Sequence, residues 1–153
     1  MSKGDEGLEA WRAMLLAHSA ALRAIEADVQ RGGSIPLTWY DVLLELRAAG
    51  PGGLRMQELS DRVVLSRTRV SRLVDEMAKQ DLVQKSPDAN DKRVVWASIT
   101  AAGEQAFRET APVYVRGIRQ HFSSFLTEDE TEVVAKALLK VAHGHQPEVR
   151  WGR

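Results

Sequence analysis

Cysteine is absent from this chain of 153 residues, and so is any long apolar run. The first absence excludes a disulfide framework and a thiol-based redox switch, and it fits a reducing cytoplasm. The second argues against a membrane-spanning helix, which needs about 18 or more consecutive apolar residues. The leading residues MSKGDEG are polar and lack the apolar stretch of a signal peptide, so we expect a cytoplasmic protein with no membrane partner.

Motifs for catalysis and for cofactor binding are also missing. The glycine-rich segment Gly50–Gly53 lacks the lysine and the spacing of a phosphate-binding loop, and no serine stands in a nucleophile motif. His143 and His145 lack the i, i+4 spacing of a helical metal site. We therefore predict no enzyme, no cofactor and no metal site, although a metal-responsive regulator stays open as an alternative.

The net charge is zero, but the distribution of charge is uneven. Between Arg55 and Arg72 there are five arginines and two acidic residues, whereas acidic side chains are concentrated at Thr127–Glu132. A local basic surplus favours a polyanionic partner, because a few phosphate contacts supply most of the non-specific affinity for nucleic acid.

The arginine-rich segment has the pattern of a helix-turn-helix. Apolar residues recur at helical spacing in two short segments, namely Met56, Leu59 and Val63, then Val70, Leu73, Val74 and Met77. Ser66 can cap the second helix by accepting from an amide of its first turn. Two amphipathic helices joined by a short turn, the second basic at its start, are typical of this DNA-binding motif.

A two-stranded hairpin is predicted directly after this motif. The first strand covers Asp81–Pro87, Asp88–Asp91 supply turn residues, and the return strand covers Arg93–Ile99. Thr100 is then placed to cap a long helix. Such a hairpin would form the wing of a winged helix.

Long helices are predicted on both sides of the winged helix. A heptad-like apolar stripe runs from Leu8 to Val29 and is stopped by glycines. Thr38 is expected to cap a second helix, the helix after Thr100 reaches about Ser124, and a Thr-x-x-Glu capping box at Thr127 opens the last helix. The stripes on these helices indicate packing against other long helices, including those of a second subunit.

This order of elements resembles the MarR family of winged-helix transcriptional regulators, over about Leu8 to His143. The wing carries the most specific match: Asp91-Lys92-Arg93 corresponds to a D-x-R sequence at the tip, and Ile99-Thr100-Ala101-Ala102-Gly103 corresponds to L-T-x-x-G. Asp81 stands where members usually have glycine, and aspartate tolerates the left-handed conformation needed there.

The resemblance implies a mainly α fold with a small β wing, in one domain. The winged helix-turn-helix would span about residues 38–100. Dimerisation helices would span about 6–31 and 100–143, followed by a tail over 144–153.

The resemblance also implies which side chains meet DNA. Thr68, Arg69 and Arg72 would face base edges in the major groove. Arg93, oriented by Asp91, would enter the minor groove. The remaining residues, expected at or beside phosphates, are Ser66, Arg67, Ser71 and Lys92. The alternative interpretation is a solvated basic face, with an Asp91–Arg93 pair that only stabilises the turn.

Many members of the family are released from DNA by aromatic effectors, so a ligand pocket is a second expectation. Aromatic residues and histidines on the first, second and fifth helices are the candidates: Trp11, His18, Trp39, Tyr40 and His121. A planar ligand suits such a set. The alternative is that these aromatics belong to the core and that His18 is a hydrogen-bonded interior histidine.

Together these features predict a homodimeric, sequence-specific DNA-binding regulator. It would act as a repressor on a pseudo-palindromic double-stranded operator and be released by a small aromatic effector. The rival hypotheses are a winged-helix protein-interaction module without a DNA role, and the metal-responsive regulator.

Overall fold

Six α-helices and three short strands follow one another in the computed structural model, which describes residues 3–63 and 65–146. The helices are α1 (Lys3–Arg31), α2 (Leu37–Ala49), α3 (Met56–Arg62), α4 (Arg67–Lys79), α5 (Ala101–His121) and α6 (Glu128–His145). The strands are β1 (Leu54–Arg55), β2 (Val83–Pro87) and β3 (Val95–Ile99). A short 3-10 helix, Ser123–Phe125, joins α5 to α6. This confirms the mainly α fold with a small β wing.

The wing is an antiparallel sheet with the strand order β1-β3-β2. The expected hairpin forms, with Val83 opposite Ile99 and Pro87 opposite Val95. Strand β1 was not predicted, because two residues are too short to show an alternating pattern. It approaches β3 closely at Gly53, where φ is 71° and a Cβ would lie 2.8 Å from the carbonyl carbon of Ala97. Only glycine suits that backbone position.

One apolar core joins the wing to α2, α3, α4 and α5. Its fully buried side chains include Val42, Leu43, Leu46, Leu59, Val70, Val74, Met77 and Ala97. Tyr40 stacks on Phe107 with 4.7 Å between ring centroids, and its ring edge meets Tyr114 at 5.0 Å. These aromatic contacts attach α2 to α5 and so fix the winged helix on the long helices.

A smaller cluster attaches the second half of α1 to α5. Ile25 and Val29 are buried beside Leu37, with Ile118 packed against them. Gly117 permits this approach, since a Cβ there would already be 3.1 Å from Ile25. The first half of α1 and the whole of α6 are not buried in this way. Large apolar side chains there stay exposed, namely Leu8, Trp11, Leu15, Leu16, Val133, Leu138, Leu139 and Val141.

Several predicted boundaries need correction. The prediction that Thr38 caps α2 is wrong, because the helix begins at Leu37 and its N-cap is Pro36, whose ψ of 146° is outside the helical range. Helix α5 ends at His121, before the predicted Ser124. The predicted tail starts too early, since α6 continues to His145; residues 147–153 lie outside the described part of the chain. The left-handed conformation expected for Asp81 is confirmed by a φ of 59°.

Candidate nucleic-acid interface

Helix α4 presents a basic face because its opposite face is buried. Val70, Val74 and Met77 are fully buried in the core, which turns the positions between them toward solvent. Ser66 caps the helix as predicted: its hydroxyl oxygen accepts from the backbone amide of Arg69 at 3.3 Å. The exposed side chains on or beside the first two turns are Ser66, Arg67, Thr68, Arg69, Ser71 and Arg72. All six predicted recognition-helix residues are therefore exposed at the start of the helix.

The arginines of this surface are mostly not neutralised by the chain itself. Arg67 lies 3.7 Å from Asp61. Because both side chains are exposed to solvent, this ion pair contributes little to stability. Among the described residues, Arg69 and Arg72 have no ion-pair partner. Their charge is thus available to an external anion, and a guanidinium can form two parallel hydrogen bonds with a guanine edge or a phosphate.

Arg93 extends from the tip of the wing and is held by Asp91. Its side chain is 91% exposed. The Asp91 carboxylate accepts from the Arg93 backbone amide at 3.0 Å and from its guanidinium at 3.2 and 3.3 Å. These hydrogen bonds hold the pKa of Asp91 below its usual range. The predicted Asp91–Arg93 contact is therefore present, and neighbouring Lys92 is exposed beside it.

Two further residues organise the tip, and the sequence did not single them out. The indole N–H of Trp96 donates to Asp88 Oδ1 at 2.8 Å, and Asp88 Oδ2 accepts from the backbone amides of Asn90 and Asp91. The indole hydrogen bond, followed by those of the amides, lowers the pKa of Asp88. Asp88 was expected only as a turn residue. An aspartate at the first position of a turn was the available signal, whereas nothing in the sequence connected it with Trp96.

The base of the wing is closed against α5. The hydroxyl of Thr100 donates to the carbonyl oxygen of Asp81 and accepts from the amide of Gly103 at 3.0 Å. A Cβ at Gly103 would overlap the carbonyl oxygen of Leu82 and lie 2.9 Å from the side chain of Ile99. The threonine and the glycine of the T-x-x-G sequence therefore fix the wing to the first turn of α5.

The five candidate ligand residues lie in three different surroundings. Trp11, which is 55% exposed, and His18, which is also exposed, lie on α1 before the residues that pack against α5. The alternative of an interior histidine at His18 is therefore wrong for the single chain. Trp39 and Tyr40 are buried in the winged-helix core, as the core alternative predicted. His121 instead meets Asp28 between α5 and α1, with 2.6 Å from Nε2 to Oδ2.

Comparisons with known proteins agree with this geometry. The sequence profile of the MarR family matches residues 34–94. YsmB of Bacillus subtilis strain 168, described as an uncharacterized HTH-type transcriptional regulator, is 32% identical over 133 residues, which cover 80% of this chain and 87% of YsmB. The chain belongs to the MarR family of transcriptional regulators.

Two solved structures are similar to this chain as well. Sco3205 of Streptomyces coelicolor, solved in complex with DNA, shares 30% identity with a TM-score of 0.81, covering 97% of this chain and 92% of Sco3205. BpsR of Bordetella bronchiseptica, whose DNA binding is regulated by 6-hydroxynicotinic acid, shares 18% identity with a TM-score of 0.75, covering 88% of this chain and 98% of BpsR. At that identity BpsR supports the fold alone.

Membership of the MarR family confirms the winged-helix assignment and the DNA-binding class. The family consists of transcriptional regulators rather than enzymes. Within residues 3–63 and 65–146, no helix is long and apolar enough to cross a membrane.

Proposed function

We propose that this MarR-family regulator is a homodimeric repressor that recognises a pseudo-palindromic operator through α4 and the wing. One observation carries the proposal. The exposed face of α4 combines hydroxyl side chains with Arg69 and Arg72, which have no ion-pair partner among the described residues, while its opposite face is buried in the core. A helix held in this way can enter the major groove as a rigid unit.

The geometry supports a division of roles among the DNA-facing residues. Arg69, Arg72 and Thr68 are proposed to contact base edges, and Arg93, held by Asp91, the minor groove. The remaining proposed contacts, to phosphates, are Ser66, Arg67, Ser71 and Lys92. Such contacts position the protein without carrying sequence information. The winged helix, about 38–100, would thus be the reading part of a single domain.

Exposed apolar surface supports the homodimer. Helix α6 buries no side chain within the described chain, and Val133 on it is 64% exposed. Leu8, Trp11 and Leu15 on the first half of α1 are exposed as well. Large apolar side chains exposed in this number on two helices indicate an interface. Two copies joined through 6–31 and 100–143 would present two α4 helices to half-sites one helical turn apart.

The first experiment is a salt titration of binding to random and selected duplexes, with the mass in solution measured alongside. The proposal expects a dimer, a selected pseudo-palindrome and an affinity that falls steeply with salt, because each neutralised phosphate releases counterions. A monomeric mass, or no binding at low salt, would refute it. A protein-interaction module would instead function normally with both Arg72→Ala and Arg93→Ala.

Two substitutions separate base reading from phosphate contact. Arg72→Ala should cost about 1–3 kcal/mol on the selected operator and relax its base preference, whereas Lys92→Ala should weaken selected and random duplexes equally and reduce the salt slope by about one. Equal losses on both duplexes for Arg72→Ala would show that this arginine contacts phosphate instead.

Release by a small aromatic acid or phenol is the second part of the proposal. An aromatic residue, Trp11, stands on the exposed apolar face of α1, and His121 with Asp28 offers polar groups at the α1–α5 junction. The test adds planar acids and phenols to the protein–operator complex and measures release. The metal-responsive rival predicts that a chelator changes affinity. The described residues contain no group of three side chains suited to holding a metal ion.

A further inference from the structure

The tip of the wing, residues 88–94, is held by hydrogen bonds that begin at Trp96 on β3. The indole N–H donates to one oxygen of Asp88 at 2.8 Å. The other oxygen accepts from the backbone amides of Asn90 and Asp91 at 3.0 and 3.1 Å. One carboxylate therefore links the strand to the turn, and the indole fixes the orientation of that carboxylate.

The turn then determines the direction of Arg93. The amide of Asp88 donates to the carbonyl of Val94 at 2.9 Å, and the amide of Val94 donates to the carbonyl of Asp91 at 3.0 Å. The Asp91 carboxylate accepts from both the backbone and the guanidinium of Arg93. Because Arg93 is otherwise exposed, its direction depends on Asp91, and the position of Asp91 depends on Asp88.

Trp96 is well placed to begin this series of contacts. It lies on the middle strand, opposite Arg55 of β1 and Ser86 of β2. The Arg55 guanidinium lies over its ring, 5.3 Å from the centroid. Successive side chains on a strand point to opposite faces, so the burial of Ala97 in the core places Trp96 on the other face. The indole is not part of the core cluster formed by the described residues.

We infer that Trp96 and Asp88 are positioning residues for DNA binding, which hold the wing tip so that Arg93 is already directed before DNA arrives. The inference rests on the proposed function, because it takes Arg93 to contact DNA. Such preorganisation increases affinity, since an ordered side chain loses less conformational entropy on binding. The lowered pKa of Asp88 agrees with it, because the indole stabilises the ionised carboxylate.

Trp96→Phe is the decisive variant, because it keeps an aromatic ring beneath Arg55 and removes the N–H donor. We expect its affinity for the selected operator to fall about threefold to tenfold at fixed salt, while the thermal stability of the free protein changes little. Ser86→Ala is the matched control. It alters the residue opposite Trp96 without touching Asp88, and it should bind like the wild type.

A double-mutant cycle with Arg93→Ala separates positioning from other effects. In the Arg93→Ala background, Trp96→Phe should cause no further loss. Two results would overturn the positioning role and leave the proposed function intact. The first is that the affinity losses of Trp96→Phe and Arg93→Ala multiply in the double variant. The second is that Trp96→Phe binds normally while Arg93→Ala binds weakly. If Arg93→Ala binds like the wild type, the wing contact and the inference fail together, whereas absence of any DNA binding by the wild type refutes the proposed function itself.

A second readout does not depend on DNA. In a carboxyl titration followed by nuclear magnetic resonance, the pKa of Asp88 should rise toward its ordinary value in Trp96→Phe and stay low in Ser86→Ala. An unchanged pKa of Asp88 in Trp96→Phe would show that the indole does not hold the carboxylate, and the inference would be wrong.

Discussion

Replacing Gly103 with alanine should loosen the wing from α5. Gly103 lies in the first turn of α5, where the helix meets the start of β2 and the end of β3. A Cβ added there would overlap the carbonyl oxygen of Leu82 and lie 2.9 Å from the side chain of Ile99. The obstacle is backbone, so a side-chain rotation cannot relieve the overlap, and α5 and the wing must separate.

The size of the effect follows from two opposing terms. Overpacking a well-packed position costs about 1–3 kcal/mol or more, whereas alanine in place of glycine favours a helix by about 1 kcal/mol at an interior position. The gain is smaller at the end of a helix. We therefore expect Gly103→Ala to lower the free energy of unfolding by about 1–3 kcal/mol, which corresponds to roughly 3–10 °C in melting temperature for a chain of this size.

Chemical denaturation and melting at one fixed protein concentration would measure this difference, since dimerisation makes stability depend on concentration. Gly52→Ala is the matched control, because nothing lies within 4 Å of a Cβ at Gly52 and its φ is not positive. That control should gain about 0.4–1 kcal/mol by restricting the unfolded chain. A neutral or stabilised Gly103→Ala variant would show that α5 does not approach Leu82 this closely.

Two further predictions concern contacts that hold α5, with α2 at one end and with α1 at the other. Arg47→Ala removes hydrogen bonds of 2.9 and 3.1 Å to Glu104 and a cation–π contact of 5.0 Å with Phe107. It should lower the free energy of unfolding, measured in urea, by about 0.5–1.5 kcal/mol. Arg108→Ala leaves the Arg47–Glu104 pair intact and should lower it by less. The pKa of Asp28 is lowered chiefly by its hydrogen bond with His121. A lowered carboxyl pKa gives stability that is fully present above the ordinary value of 3.8 and is lost as pH falls through the folded-state value. Asp28→Asn should therefore be less stable than the wild type at neutral pH, with a difference that shrinks on acidification; a difference independent of pH would contradict this.

The exposed basic face of α4 was predictable from sequence because its signal is periodic. Val70, Val74 and Met77 recur at helical spacing, and burying them leaves only one direction for the arginines between them. The Ser66 cap and the turn at Asp88–Asp91 follow from local chemistry, which acts over two or three residues. These features depend on near neighbours in the chain, so a single sequence contains enough information to locate them.

Contacts between distant segments were not predictable in the same way. Strand β1 exists because Gly53 lets Leu54 and Arg55 pair with β3, more than 40 residues further along. The His121–Asp28 contact spans 93 positions, and no local pattern indicates it. Trp11 and His18 belong to the same predicted apolar stripe as Ile25, yet only the later residues of that stripe, such as Ile25, are buried. Periodicity identifies an apolar face without identifying what covers it.

Strand β3 connects the two parts of the candidate interface. Ala97 on its inner face is buried in the core that also holds α4, while Trp96 on its outer face bonds to the wing tip. At its end, Ile99 contacts the position where α5 begins. A rearrangement of the long helices that moves this strand relative to α4 would therefore redirect Arg93. An effector would change DNA affinity only by binding one such arrangement more tightly than the other. The Arg93→Ala variant has no wing contact to lose. Its release by an effector should therefore be smaller than that of the wild type and should depend only on the spacing of the two α4 helices. Full release of an Arg93→Ala variant, equal in size to that of the wild type, would place the effect entirely in that spacing and none of it in the wing.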